Sequence, residues 1–198
     1  MLQSSFTEEL VEAGVDEAGR GCLAGPVFAA AVILPKGFKD AELNDSKQLT
    51  ARKREILRKR IEEQAIAWAV SSASEKVIDE INILNASIMA MHESIRNLDP
   101  RPELLLIDGN RFKPMNGFRY CCIIKGDAKF MSIAAASILA KTYRDEFMIE
   151  LGKEFPCYEW ARNKGYPCRK HREAIYRYGI SPYHRKSFHV SEQMKLVL

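Results

Sequence analysis

Leu104-Leu105-Leu106-Ile107-Asp108-Gly109 decides how the chain reads as a fold. Four large apolar residues running into an acid and a glycine describe a strand covered on both faces, as in the parallel part of an α/β sheet. Upstream, 11–16 and 27–34 are two more β-type runs, joined by the glycine-rich Gly19-Arg20-Gly21-Cys22-Leu23-Ala24-Gly25-Pro26. So short a connection makes them antiparallel neighbours. Residues 68–72 and 121–124 supply two further short strands. Between them, Thr50 is a good N-cap for a helix over about 51–65. Leu84, Ile88, Met91, Ile95 and Leu98 form one apolar stripe of a helix that Pro100 and Pro102 end. A long helix from about 129 to 155 is apolar all round in its first half and belongs deep against the sheet. Asp127 opens it. Strands first, then strand–helix alternation, predict an α/β fold with a mixed five-stranded sheet flanked by helices. A single domain is expected over 1–198, with a core at about 10–155 and a basic C-terminal region, 156–198, carrying one or two helices.

Composition narrows the class. No apolar run approaches the ~20 residues that span a bilayer, and the polar N-terminus has no basic segment of a signal peptide. A cytoplasmic protein without a membrane partner is expected. The five cysteines, Cys22, Cys121, Cys122, Cys157 and Cys168, show no C-x-x-C spacing, which argues against a zinc site or a disulfide framework. The net charge of +4 is small, but its distribution is uneven. Arg162, Lys164, Arg169, Lys170, Arg172, Arg177, Arg185 and Lys186 face a lone acid, Glu173, within 161–190. A polyanion-binding region on an otherwise acidic body fits a nucleic-acid enzyme. A solvated surface fits the same charges equally well.

Three acidic sites share one context. Asp16-Glu17 follows an apolar strand, Asp108 follows another, and Asp127 follows Ile124-Lys125-Gly126. Each has a plain structural reading: Asp-Gly is a turn signal, and Asp127 is placed as a helix N-cap. If the strands are neighbours, however, their ends gather four carboxylates that cannot all stay ionised without cations. Oxygen donors without His or Cys suit Mg²⁺ or Mn²⁺. Adjacent strand residues point to opposite faces. Asp16 and Glu17 can therefore share a site only if the strand ends or bulges there, or if Glu17 contributes its carbonyl.

These residues resemble the ribonuclease HII family. The matching segments are Gly14-Val-Asp-Glu-Ala-Gly-Arg-Gly21, Leu43-Asn-Asp-Ser-Lys47, Ile78-Asp-Glu-Ile-Asn-Ile-Leu84, Leu106-Ile-Asp-Gly-Asn110 and Ile124-Lys-Gly-Asp127. Ser132-Ile-Ala-Ala-Ala-Ser-Ile-Leu-Ala-Lys141, Lys164-Gly-Tyr-Pro167 and His184-Arg-Lys-Ser-Phe188 complete the set. Cys22-Leu23-Ala24 stands where the family often has Pro-Leu-Val, and Ala128 where it often has Ser. The sister type, ribonuclease HIII, carries an extra N-terminal domain and usually ends its acidic set with Glu. Here about ten residues precede the first strand and the fourth acid is Asp127, which favours type 2.

The resemblance implies an RNase H-like fold and a catalytic metal site made by Asp16, Glu17, Asp108 and Asp127, with Asp127 the least defined in role. It implies two divalent ions, Mn²⁺ or Mg²⁺, bridging the scissile phosphate. It also implies that Gly19-Arg20-Gly21 reads the ribonucleotide and that Tyr166 stacks beyond the junction. Tyr166 on its own would read as a core tyrosine. Lys47, Lys125, Lys164 and Arg185 are candidates for phosphate contacts. The implied enzyme is a monomeric endoribonuclease acting on RNA/DNA hybrids and on ribonucleotides embedded in DNA, hence in ribonucleotide excision repair. The rivals are an RNase H-like nuclease cutting DNA junctions and a non-catalytic nucleic-acid-binding module. His171, His184 and His189 read as packing residues or neighbours of phosphate, and Asp45, Asp79 and Asp145 as structural acids.

Overall fold

The computed structural model describes residues 2–7, 9–43, 46 and 49–188. Strands β1 (Glu12–Ala18), β2 (Val27–Ile33), β3 (Ala67–Ala73), β4 (Leu104–Asp108) and β5 (Arg119–Ile123) form one sheet in the order β3-β2-β1-β4-β5. The pairs β1–β2 and β2–β3 are antiparallel, whereas β1–β4 and β4–β5 are parallel. The mixed sheet expected from the strand pattern is therefore present, with β1 at the change of direction.

Alternation along the strands sorts the two faces. Ala13, Val15, Ala29, Ala31, Leu105 and Ile107 pack with Ile78, Ala86, Ala90, Met91 and Ile95 of helix α2 (Glu75–Arg96). The other face carries Ala30 and Val32, which meet Leu57 and Ile61 of α1 (Ala51–Gln64) and the apolar start of α3 (Met131–Glu154). Thr50 caps α1 as expected, its side chain accepting from the N–H of Lys53. Helix α2 starts well before the apolar stripe, at the cap Ser74, and kinks at Asn82. Leu98 lies beyond its last turn.

Close approach explains Gly14. A Cβ there would fall 2.2 Å from the backbone carbon of Ser132, so β1 can press against the start of α3 only without a side chain. The C-terminal part, with α4 (Trp160–Asn163) and α5 (Arg169–Tyr178), is joined to α3 by its own small core. Met148, Leu151, Tyr158, Trp160, Ala174 and Ala24 build that core. No helix among the described residues is long and apolar enough to cross a membrane.

Candidate active site

The register of the parallel pair places the first two acids. Val15 pairs with Ile107, so Asp16 and Asp108 follow side by side at the same end of the sheet. Both share the face that carries α3. The third acid arrives from a loop: Asp127 lies in a short 3₁₀ turn (Gly126–Ala128) between β5 and α3. The N–H of Gly126 donates to Oδ1 of Asp108 at 2.7 Å, fixing that turn to the end of β4. One carboxylate oxygen from each of Asp16, Asp108 and Asp127 lies within 4.8 Å of the others. The N-cap expectation for Asp127 is corrected. Phe130 holds the cap position of α3, without a side-chain cap bond, and Asp127 faces the cluster.

Glu17 stands apart from these three. Strand β1 neither ends nor bulges at Glu17, because pairing with β2 runs unbroken from Gly14–Val32 to Ala18–Phe28. Glu17 lies opposite Ala29 on the α2 face, while Asp16 lies opposite Ala30 on the α3 face. Its carboxylate pairs with Arg20 at 3.0 Å and lines the cleft without joining the close group. Of the four expected carboxylates, three aspartates cluster and Glu17 lines the same cleft at its rim.

Burial and like charge act together on Asp16. Removal from water pushes its carboxyl well above the usual carboxylate range, and the charges of Glu17 and Asp108 push it further. The Ser137 hydroxyl of α3, beside the carboxylate, opposes the shift. Ser137 Oγ also meets Ser46 Oγ at 2.9 Å. All-oxygen donors in such a cluster match a hard divalent cation, which would relieve the repulsion.

Asp16 and Asp108 open into a cleft of about 230 Å³ lined also by Glu17, Gly19-Arg20-Gly21, Ser46, Ser137, Lys141 and Tyr166. Tyr166 is 39% exposed, so it is a wall of the cleft rather than a core tyrosine. Its hydroxyl neighbours the buried Cys22 thiol, and burial pushes both groups up. On the α2 side the cleft continues past Ser87, Met91, Asn110 and Arg111.

The expected phosphate contacts separate. Lys125 is exposed beside the Asp127 turn. Lys164 donates to the carbonyl of Ala161, and burial lowers its ammonium from the ordinary value. Lys47, with Asp45 and His189, lies outside the described residues. Arg185 is corrected: it is 2% exposed, and its guanidinium donates to the carbonyls of Gly19, Arg20 and Gly25. It supports the glycine loop from beneath and does not face the cleft.

His171 and His184 are buried in a chain of hydrogen bonds with Trp160 and Ser181, as packing residues. Asp79 accepts from the N–H groups of Lys186 and Ser187, and Asp145 pairs with Lys141 and Arg54. Ser46, Ser137, Lys141 and Arg144 escaped the reading of the sequence. The signal lay in Ser137, Lys141 and Arg144 at 4, 3 spacing, a polar stripe on a helix otherwise apolar at its start.

Comparison with known proteins agrees with this geometry. A family model, Ribonuclease HII, matches residues 13–191. The chain is 60% identical over 190 residues to a ribonuclease HII of Bacteroides fragilis, covering 96% of this chain and 94% of the relative. It is 63% identical over 178 residues to that of Parabacteroides distasonis, covering 90% and 89%. Among solved structures, the ribonuclease H2 of Pyrococcus horikoshii OT3 superposes with a TM-score of 0.77 at 24% identity, over 93% of this chain and 96% of that one. With two strand-end aspartates and a third from the turn after β5 brought together, and relatives matching nearly end to end, the chain belongs to the ribonuclease HII family.

Proposed function

We propose that this chain cleaves the RNA strand of RNA/DNA hybrids and cuts on the 5′ side of single ribonucleotides embedded in duplex DNA. RNase H type 2 endoribonuclease action itself comes with the family. The observation that carries the finer reading is the meeting of Asp16, Asp108 and Asp127 beside a cleft whose wall includes Gly19-Arg20-Gly21 and Tyr166.

Asp16, Asp108 and Asp127 would hold two divalent ions, Mg²⁺ or Mn²⁺, with Glu17 at the edge of the site. Bound there, such ions supply Lewis-acid polarisation of the phosphate and a lowered pKa for water. The reaction is an in-line displacement at phosphorus. Water's oxygen bonds to phosphorus, the bond to the 3′ oxygen breaks, and the products carry 5′-phosphate and 3′-hydroxyl ends. The residues of this chain orient the substrate. Gly21 has no heavy atom within 4 Å of where a Cβ would stand, which leaves its backbone open to a nucleotide. Main-chain groups can then hydrogen-bond the 2′-hydroxyl, the atom that separates RNA from DNA at one position. Tyr166 offers a ring face for the sugar beyond the junction. Lys125, Lys141 and Lys164 are placed for backbone phosphates, Lys47 remains a candidate from the sequence, and the enzyme acts as a cytoplasmic monomer.

A labelled DNA duplex with one ribonucleotide tests this reading. Cleavage immediately 5′ of the ribonucleotide, dependent on Mn²⁺ or Mg²⁺, supports it. Cutting indifferent to the ribose would point to a junction nuclease, and binding without cutting to a non-catalytic module.

A further inference from the structure

Two arginines are buried beneath the cleft, and every hydrogen bond of their guanidinium groups among the described residues ends on a main-chain oxygen. Arg144, 0% exposed on α3, donates from Nε to Pro26, from Nη2 to Ala24 and from Nη1 to Lys164, at 2.9, 3.1 and 2.9 Å. Arg185 donates from Nε and Nη2 to Gly25, from Nη1 to Arg20 and from Nη2 to Gly19, at 2.8–3.0 Å. Neither meets a carboxylate among the described salt bridges, although Asp79 and Glu75 act on Arg185 from farther away. Burial lowers the Arg185 guanidinium to about 10, so it remains cationic at neutral pH.

A buried cation without an anionic partner is costly. Satisfying it with carbonyls alone makes sense where the position of those carbonyls matters. They belong to the segment that runs from Gly19 to Pro26 and to Lys164, two residues before Tyr166. Further main-chain bonds, Leu23 N–H to Gly165 and Arg185 N–H to Leu23, stitch the same segments together. With the carbonyls of Gly19 and Arg20 turned inward, the N–H groups of Arg20 and Gly21 meet no acceptor among the described residues. Gly19 adopts φ +98°, and a Cβ there would lie 2.0 Å from Arg144 Nε, so loop and arginine are fitted to each other.

We propose that Arg144 and Arg185 are positioning residues for ribose selectivity: together they hold the Gly19–Gly21 backbone and Tyr166 in one fixed relation to the aspartates. The proposal rests on the reading that this loop senses the 2′-hydroxyl. Lysine cannot replace either arginine, because one ammonium cannot reach three carbonyls of separate residues as a planar fork does.

The test uses the full chain with Arg144→Lys and Arg185→Lys made separately, each studied below its own melting midpoint. Two duplexes differing only in one ribose or deoxyribose are bound in Ca²⁺, cutting is followed in single turnover with Mn²⁺, and Mn²⁺ affinity is measured by calorimetry. Mn²⁺ affinity and binding of the all-DNA duplex should stay near wild type, while the preference for the ribonucleotide duplex falls about tenfold or more. The single-turnover rate should fall with it. Folded variants that keep the wild-type preference overturn the proposal, as does failure of both to fold at any temperature, which would make the arginines structural props. A wild-type protein without preference would instead remove the reading of the loop on which the proposal stands.

Discussion

Asp16 and Asp108 occupy equivalent positions on two parallel neighbours, each one residue past the paired Val15 and Ile107. Two carboxylates so placed repel, and burial raises the cost for Asp16. The hydrogen bonds that Asp108 accepts from Gly126 and Asp16 from Glu17 do not remove that repulsion, so the arrangement trades stability for a cation site. Asp16→Asn should lower kcat by about 10³-fold or more, equivalent to about 4 kcal/mol. In EDTA the same variant should melt no lower than wild type, and the stabilisation that Mn²⁺ gives wild type should shrink. Thermal melts with and without Mn²⁺, beside cleavage assays, check both halves.

Gly19 and Gly21 make opposite predictions within one loop. Gly19→Ala forces a side chain into φ +98° and against Arg144, so it should destabilise the fold by about 1–3 kcal/mol. Gly21→Ala meets only open space. Its stability should stay within about 0.5 kcal/mol of wild type, while kcat/KM on a single-ribonucleotide duplex drops at least tenfold as the methyl group crowds the nucleotide. Denaturant melts separate the two, and normal cleavage by Gly21→Ala would show that no substrate backbone approaches there.

Much of this was legible in the residues, for identifiable reasons. The run from Leu104 to Asp108 reads as a doubly covered strand because both its faces are in fact covered, and the stripe of Ile88, Met91 and Ile95 reads as helix because one face alone is. The three aspartates were legible as strand-end and turn acids, yet their meeting depends on the order β1-β4-β5, which local pattern does not encode. Glu17 stands at the rim of the cleft because β1 continues two residues beyond Asp16 with unbroken pairing, which sends neighbouring side chains to opposite faces. Arg185 was misread. A basic residue in a basic segment looks like surface, and the carbonyls that hold it come from residues about 160 positions away.

Tyr166 gives a sharper view of substrate engagement. It lines the cleft, with Lys141 and Arg144 5.2 and 5.8 Å from its ring centre. Tyr166→Ala should reduce cutting at a single ribonucleotide by roughly tenfold or more, in line with a lost stacking contact, while binding of a long hybrid changes less. Equal loss of cutting and binding would assign the ring to packing.

Acid should weaken the C-terminal unit through its paired histidines. His184 accepts at Nδ1 from Ser181 and faces His171 at 3.2 Å, and burial with the His171 neighbour lowers it from the ordinary value to about 4. A histidine lowered by folding is neutral in both states above pH 6.5, so its contribution is full there. As pH falls from 6.5 toward 4 the unfolded chain takes up the proton first, and about 3 kcal/mol is lost. Urea unfolding at pH 7 and pH 5 should show this slope in wild type, and His184→Leu should flatten it.

Crystals soaked in MnCl₂ and measured at the manganese absorption edge test the central claim most directly. Anomalous density should lie among the carboxylates of Asp16, Asp108 and Asp127, with a second peak when a ribonucleotide-containing duplex is bound to an inactive variant. Manganese bound only elsewhere, with the three aspartates empty beside bound substrate, would contradict it.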